Sequence, residues 1–244
     1  MTFLKIQSLR KTYDTRSILY RRKTEALKGI DIEIPQNEIT VILGRNGAGK
    51  TTFMNICAGI LQPTAGKVLI NETTPVQYRA RIGYLPETIA LPDFLTVSAF
   101  LRIMGTVSGM NAAYLKSRMR DLLETFELSK ELNTRINTLS MGNKRKLLIV
   151  QSLLHDPDVL ILDEPTVYLD FIGKDRFYQV LRQLKTKGCT IIISSHIVTD
   201  IEKLGERVVV LDEGMITRSI SGQELQAQTN LEQFIVATLY HGKN

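Results

Sequence analysis

One stretch limits what this chain can become more than any other. The apolar run Ile39 to Leu43 passes directly into Gly44-Arg45-Asn46-Gly47-Ala48-Gly49-Lys50-Thr51, and a helical run, Thr52 to Ala58, follows. This is GxxxxGK[ST] in the strand, loop and helix setting that the pattern requires. Its glycines let consecutive backbone N–H groups turn inward, and the next helix presents its positive end, so the loop suits phosphate oxygens. Gly44, Arg45, Asn46, Gly47, Ala48 and Gly49 are therefore expected to cradle a nucleotide. Lys50 is expected to bridge the β and γ phosphates, Thr51 to offer its hydroxyl to Mg²⁺, and Thr52 to reach the α phosphate.

A second apolar run, Val159 to Leu162, delivers Asp163 and Glu164 just before Pro165. Neighbouring residues on a strand point to opposite sides. Asp163 is accordingly assigned to the metal, and Glu164 to the attacking water as general base. Ile191 to Ile193 reads as a third buried parallel strand. Ligands of such sheets gather beyond the carboxyl ends of the strands, so Gly44 to Thr52, Asp163 with Glu164, and Ser194 to His196 should converge on one site.

The remainder places these runs in a chain of mixed character. Leu4 and Ile6, then Ile30, Ile32 and Ile34, alternate as strands, with the polar, basic stretch Asp14 to Thr24 between them: an antiparallel β layer with a long loop. Within that loop Arg16, Arg21, Arg22 and Lys23 form a basic run that reads as a solvated hairpin tip. From about Glu87 to His155 the spacing turns helical, as in Leu95, Ala99, Phe100 and Ile103, or Leu115, Met119, Leu122, Leu123 and Phe126. Val208 to Leu211, a turn at Asp212 to Gly214, and Met215 to Ile220 suggest a hairpin, and Leu231, Phe234, Ile235 and Leu239 a short terminal helix. The expected fold is α/β: a P-loop NTPase core with a mainly parallel sheet, an N-terminal antiparallel β layer and a helical subdomain inserted at about 87–155. One domain is expected over residues 1–244.

Composition narrows the class without choosing a partner. A chain that is 43% hydrophobic folds, and a net charge of +6 is too mild to argue for nucleic acid or anionic lipid. The longest apolar runs fall far short of the ~18 residues of a spanning helix, and no signal-peptide pattern opens the sequence. Cys57 and Cys189 both lie in apolar segments, which argues against a disulfide framework and for a reducing compartment. A cytoplasmic protein is expected.

Leu139-Ser140-Met141-Gly142-Asn143 before the paired carboxylates, and His196 after them, carry the pattern beyond a generic phosphate loop. The whole set resembles the ABC transporter ATPase family. Ser140 also reads directly as the N-cap of a helix running to about His155, with Gly142 leaving its start open to an anion. The resemblance implies that Ser140, Gly142 and Asn143 meet the γ phosphate of ATP held by a second subunit, so that two subunits sandwich two nucleotides. It further implies that Tyr13 stacks on adenine, that Glu87 occupies the Gln-loop position after Tyr84-Leu85-Pro86 and binds metal, that Val167 to Asp170 is the D-loop, and that His196 is the switch histidine.

The chain departs from the family pattern in three places. Met141 stands for a glycine, Asn143 for a glutamine, and Glu87 for the usual glutamine. A carboxylate at 87 binds Mg²⁺ but donates no hydrogen bond, and it repels the γ phosphate unless metal screens it. The same Tyr-Leu-Pro-Glu form occurs in exporter-type members. The resemblance thus implies the Mg²⁺-dependent ATPase subunit of a membrane transporter, of exporter type, with a homodimeric or heterodimeric ATPase partner and separate integral membrane permeases, peripheral on the cytoplasmic face. Nucleic acid is not an expected partner. Two alternatives remain open on the sequence: a soluble ABC ATPase clamp, and a poorly hydrolysing partner in a heterodimeric transporter.

Overall fold

The computed structural model describes residues 2–16 and 21–241. In chain order the elements are β1 (Thr2–Arg16), β2 (Arg21–Pro35), β3 (Ile39–Leu43), α1 (Lys50–Cys57), β4 (Ala65–Ile70), α2 (Pro75–Tyr78), β5 (Ile82–Leu85), α3 (Val97–Val107), α4 (Ala112–Thr125) and α5 (Met141–Leu153). There follow β6 (Val159–Asp163), α6 (Phe171–Thr186), β7 (Thr190–Ser195), α7 (Val198–Leu204), β8 (Arg207–Asp212), β9 (Met215–Ser221), α8 (Gly222–Gln226) and α9 (Leu231–His241).

The period of two in the buried runs sorts side chains onto two cores. One six-stranded sheet has the order β5-β6-β7-β3-β8-β9, parallel except for β9. Leu160, Leu162, Ile191, Ile193, Val41 and Leu43 face the core shared with α3 to α6, whereas Val159, Ile161, Ile192 and Ile42 face the core shared with α1 and the N-terminal sheet. Both faces are covered, which is why these strands read as continuous apolar runs and not as alternating ones. Each such buried side chain contributes about 1.5–3 kcal/mol. A second, antiparallel sheet, β2-β1-β4, closes the opposite side.

Two readings of the sequence need correction. The long loop expected over Asp14 to Thr24 is largely strand: Tyr13 pairs with Thr24, Asp14 with Lys23 and Thr15 with Arg22. Ladder hydrogen bonds hold a hairpin whose two faces are both solvated, and such a hairpin leaves no apolar alternation to read. Of the basic run expected as a solvated tip, Arg22 and Lys23 are exposed, while the side chains of Arg16 and Arg21, and residues 17–20, lie outside the described residues. In α3 the buried face runs through Val97, Phe100, Leu101 and Gly105, while Ile103 is half exposed and Leu95 precedes the helix. The expected face was rotated by a residue because Leu101 and Ile103 compete for it, and only packing decides between them. The α4 face of Leu115, Met119, Leu122 and Leu123, with Phe126 after it, is buried as read. The Leu239 side chain lies outside the described residues.

Candidate nucleotide site

The loop after β3 is held from two sides. Gly49 is the N-cap of α1 with φ 105°, and a Cβ there would stand 2.6 Å from the Ala26 carbonyl oxygen. A Cβ on Gly44 would stand 2.4 Å from the Leu211 carbonyl oxygen. Only glycine fits either place, so the hairpin and β8 fix the loop's path. The helix begins at Lys50, two residues earlier than the sequence suggested, which brings Lys50, Thr51 and Thr52 into its first turn, where N–H groups lack intrahelical partners.

A cavity of about 240 Å³ opens on this turn, lined by Arg45, Asn46, Gly47, Gly49, Lys50, Thr51 and Thr52, with Ala26, Glu87 and Glu164 on its walls. Gly44 and Ala48 lie behind it and shape the loop; Ala48 is buried, and its carbonyl accepts from the Gly214 N–H at 3.0 Å. Lys50 Nζ donates to Gly44 O at 2.7 Å and Arg45 O at 3.3 Å, and stands 3.4 Å from Glu164 Oε1. Thr51 Oγ1 donates to Glu87 Oε2 at 3.0 Å. Tyr13, partly exposed on β1, shares a 3.2 Å hydrogen bond between its hydroxyl and Thr52 Oγ1, so its ring sits at the mouth of the same turn.

The β6–β7 register pairs Asp163 with Ser194. The Ser194 hydroxyl donates to Asp163 Oδ1 at 2.5 Å and accepts the Glu164 N–H at 2.9 Å. Asp163 is fully buried and its Oδ2 has no partner among the described residues. Burial pushes its carboxyl above the usual carboxylate range, against the hydrogen bond from Ser194 and the nearby Thr51 hydroxyl, and the charges of Glu87 and Glu164 push the same way as burial. An orphaned carboxylate oxygen beside a hydroxyl and a second carboxylate is a donor set that fits Mg²⁺. It falls short of an all-protein cage, since no cluster of three or more His, Cys, Asp or Glu is arranged for a metal among the described residues. Mg²⁺ keeps water and phosphate oxygens in its shell, so a partial set suffices.

Glu164 adopts φ 48°, a left-handed conformation that costs a non-glycine residue about 1–2 kcal/mol and turns its side chain away from that of Asp163. Its carboxylate is nearly buried between Lys50 and His196, whose Nδ1 lies 2.9 Å from Oε2. Lys50, Thr51, Glu87, Asp163, Glu164 and His196 are thus brought together as the sequence suggested.

The signature residues are elsewhere. Ser140 caps α5, its Oγ accepting the Asn143 N–H at 3.1 Å, and a Cβ on Gly142 would stand 3.0 Å from Tyr168 O. None of Ser140, Gly142 and Asn143 lines the phosphate cavity. Sequence reasoning named Ser194 only as part of a strand end and passed over two further supports of the site, Asp200 and Arg145. Ser194 serves both carboxylate residues. Asp200, fully buried, accepts from Ser195 Oγ at 2.5 Å, Tyr178 OH at 2.5 Å and Thr166 Oγ1 at 3.0 Å, tying the segments after Glu164 and before His196. Arg145, buried in α5, reaches the loops that carry Glu87 and Glu164. A larger cavity of about 570 Å³ between α3 and α4 holds none of the expected site residues.

Comparison with known proteins bears on this geometry. A family model described as "ABC transporter" matches residues 27–167. An uncharacterized ABC transporter ATP-binding protein, YxlF, of Bacillus subtilis is 36% identical over 230 residues, 93% of this chain and 75% of that protein. The Nod factor export ATP-binding protein I of Ralstonia nicotianae is 35% identical over 216 residues, 86% of this chain and 64% of that protein. Among solved structures, a dimeric post-hydrolysis ATP-binding cassette bound to ADP and Pi is similar with a TM-score of 0.82 and 25% identity, covering 90% of this chain and 98% of that one.

Proposed function

Because this chain belongs to the ABC transporter family as an ATP-hydrolysing, ATP-binding subunit, we propose that two such subunits close on two ATP molecules and drive a membrane exporter. The observation that carries the reading is the division of the site. The phosphate cavity is lined by Lys50, Glu87 and Glu164, with His196 held against Glu164, while Ser140, Gly142 and Asn143 lie outside it with the α5 start turned to solvent or half-buried. A second subunit supplies what each cavity lacks.

In this reading residues 1–244 form one ABC ATPase domain, with 87–155 as its helical subdomain. Tyr13 stacks on adenine, and the loop N–H groups from Gly44 to Gly49 with Thr52 hold the phosphates. Lys50 exchanges Gly44 O and Glu164 for β and γ phosphate oxygens, which releases Glu164 toward the water. Glu164 takes the proton of that water as its oxygen bonds to the γ phosphorus and the bond to the ADP oxygen breaks. His196 orients Glu164 through Nδ1, and its other ring nitrogen serves the γ phosphate. Thr51, Asp163 and Glu87 would hold Mg²⁺, which would supply charge neutralisation at the phosphates. The largely exposed segment at Glu87 and the exposed Phe94 offer the permeases a docking face on the cytoplasmic side of a membrane.

Export rests on Glu87 in Tyr84-Leu85-Pro86-Glu87 and on the export role in the name of the Ralstonia relative. No helix among the described residues is long and apolar enough to cross a membrane, in keeping with separate permeases. The test is Glu164→Gln protein with Mg-ATP in size-exclusion chromatography with light scattering. A stable dimer without turnover supports the reading, and a monomer with unchanged turnover overturns it. Affinity capture from membranes should recover an integral membrane protein; ribosomes or DNA instead would reverse the choice of system.

A further inference from the structure

Lys144-Arg145-Lys146 looks like a solvated basic run, yet the middle side chain is fully buried. A guanidinium has five N–H donors and no acceptor, and Arg145 uses all five on main-chain carbonyls. Nη1 donates to Pro86 O at 2.7 Å and Glu87 O at 3.2 Å. Nη2 donates to Asp163 O at 2.8 Å and Glu164 O at 2.5 Å, and Nε to Pro165 O at 3.2 Å.

These carbonyls belong to two segments that leave neighbouring parallel strands, since Leu85 of β5 pairs with Leu162 of β6. One segment carries Glu87 and the other Asp163 and Glu164. Burial works against the charge on Arg145, and Asp163, Glu164 and Glu87 work for it. A buried cation held by fixed carbonyls is costly to misplace, so the planar fork dictates how the two segments sit. It projects from the helix whose first residues are Ser140 to Asn143.

The geometry points to Arg145 as a positioning residue that couples the start of α5 to the Glu87 and Glu164 segments at once. A shift of α5 on docking against the nucleotide of a second subunit moves both segments together, and turnover is thereby tied to closure. This rests on the roles proposed above for Glu164 and for the α5 start.

The test is Arg145→Lys, which keeps the charge but has a single nitrogen that cannot span both segments. We expect kcat to fall about tenfold or more with KM for Mg-ATP unchanged within about twofold, the pattern of an interaction made only in the transition state. In the Glu164→Gln background the same substitution should cause no further loss. Equal losses in both backgrounds, or a rise in KM with kcat preserved, would assign Arg145 to folding alone and overturn the coupling. Should Arg145→Lys fail to fold, hydrogen exchange on Glu164→Gln protein decides: Mg-ATP should alter protection of the segments around Glu87 and Glu164 in step with the α5 start, and a change confined to α5 refutes the proposal. If Glu164→Gln itself leaves turnover intact, the underlying assignment of the base has failed, and not the coupling.

Discussion

The two halves of the proposed ATP site are built in opposite ways. The cradle half is interior: Lys50 and Glu164 are nearly buried, Asp163 wholly so, and their polar atoms are bound to one another, to Ser194 and to carbonyls. The signature half is a helix start at the surface, with Met141 46% exposed and Ser140 Oγ engaged in its own helix cap. Apart from the orphaned Asp163 Oδ2, the buried polar groups of the cradle are satisfied within their own chain, which makes that network rigid. An exposed helix start with anion-seeking N–H groups is complete only when something docks there. On the proposed reading, one half is a site and the other is a surface that finishes a site.

Perturbing each half should separate them. The largest effect is expected in the cradle half. Glu164→Gln should lower the rate of phosphate release by about 10²–10⁴ while Mg-ATP affinity persists, in the range that general-base catalysis supplies; stopped-flow phosphate detection and calorimetry read the two. Lys50→Ala should weaken ATP binding by about ten- to hundredfold, the worth of charge-assisted hydrogen bonds of about 1.5–3 kcal/mol. Undiminished affinity would remove Lys50 from the phosphates.

The signature half gives a finer test. Ser140→Ala should cost about 1 kcal/mol of stability through the lost cap. Ser140→Asp, an equally good cap, should restore the melting temperature but not turnover, because a carboxylate repels the phosphate of a partner. If Ser140→Asp restores both, Ser140 is only a cap and the contrast drawn above fails.

The smallest effect concerns the far end of α5. His155, just beyond it, places Nε2 at 3.1 Å from Ile82 O, and burial holds the imidazole below its ordinary value of 6.5. A folded pKa below the unfolded one contributes stability that is present above pH 6.5 and is lost as pH falls through the folded pKa. His155→Gln should therefore flatten the decline of melting temperature between neutral and mildly acid pH. An unchanged pH profile would show that His155 does not anchor α5.

What the sequence made legible follows the same division. The cradle is a local strand, loop and helix, so glycine spacing and one lysine disclosed it, and the buried strands disclosed themselves through apolar runs that end in carboxylates. Short or weakly patterned elements were not legible: β4 is mostly exposed, β5 has four residues, and the β1–β2 ladder is polar on both faces toward its tip. Arg145 was hidden because nothing in Lys144-Arg145-Lys146 tells a fully buried cation from two neighbours that stay partly exposed. The fork has a partner only once β5 and β6 lie side by side. Ser194 was named as part of a strand end, but its double duty depends on a register that no local pattern records.

The central claim is that each cavity is completed by the signature of another chain. Mixing Lys50→Ala protein with Ser140→Asp protein tests it directly, because a mixed dimer joins an intact cradle from one chain to an intact signature from the other. The account requires ATP turnover in the mixture well above that of either variant alone. Turnover no greater than the average of the two would mean that each chain completes its own site, and would contradict it.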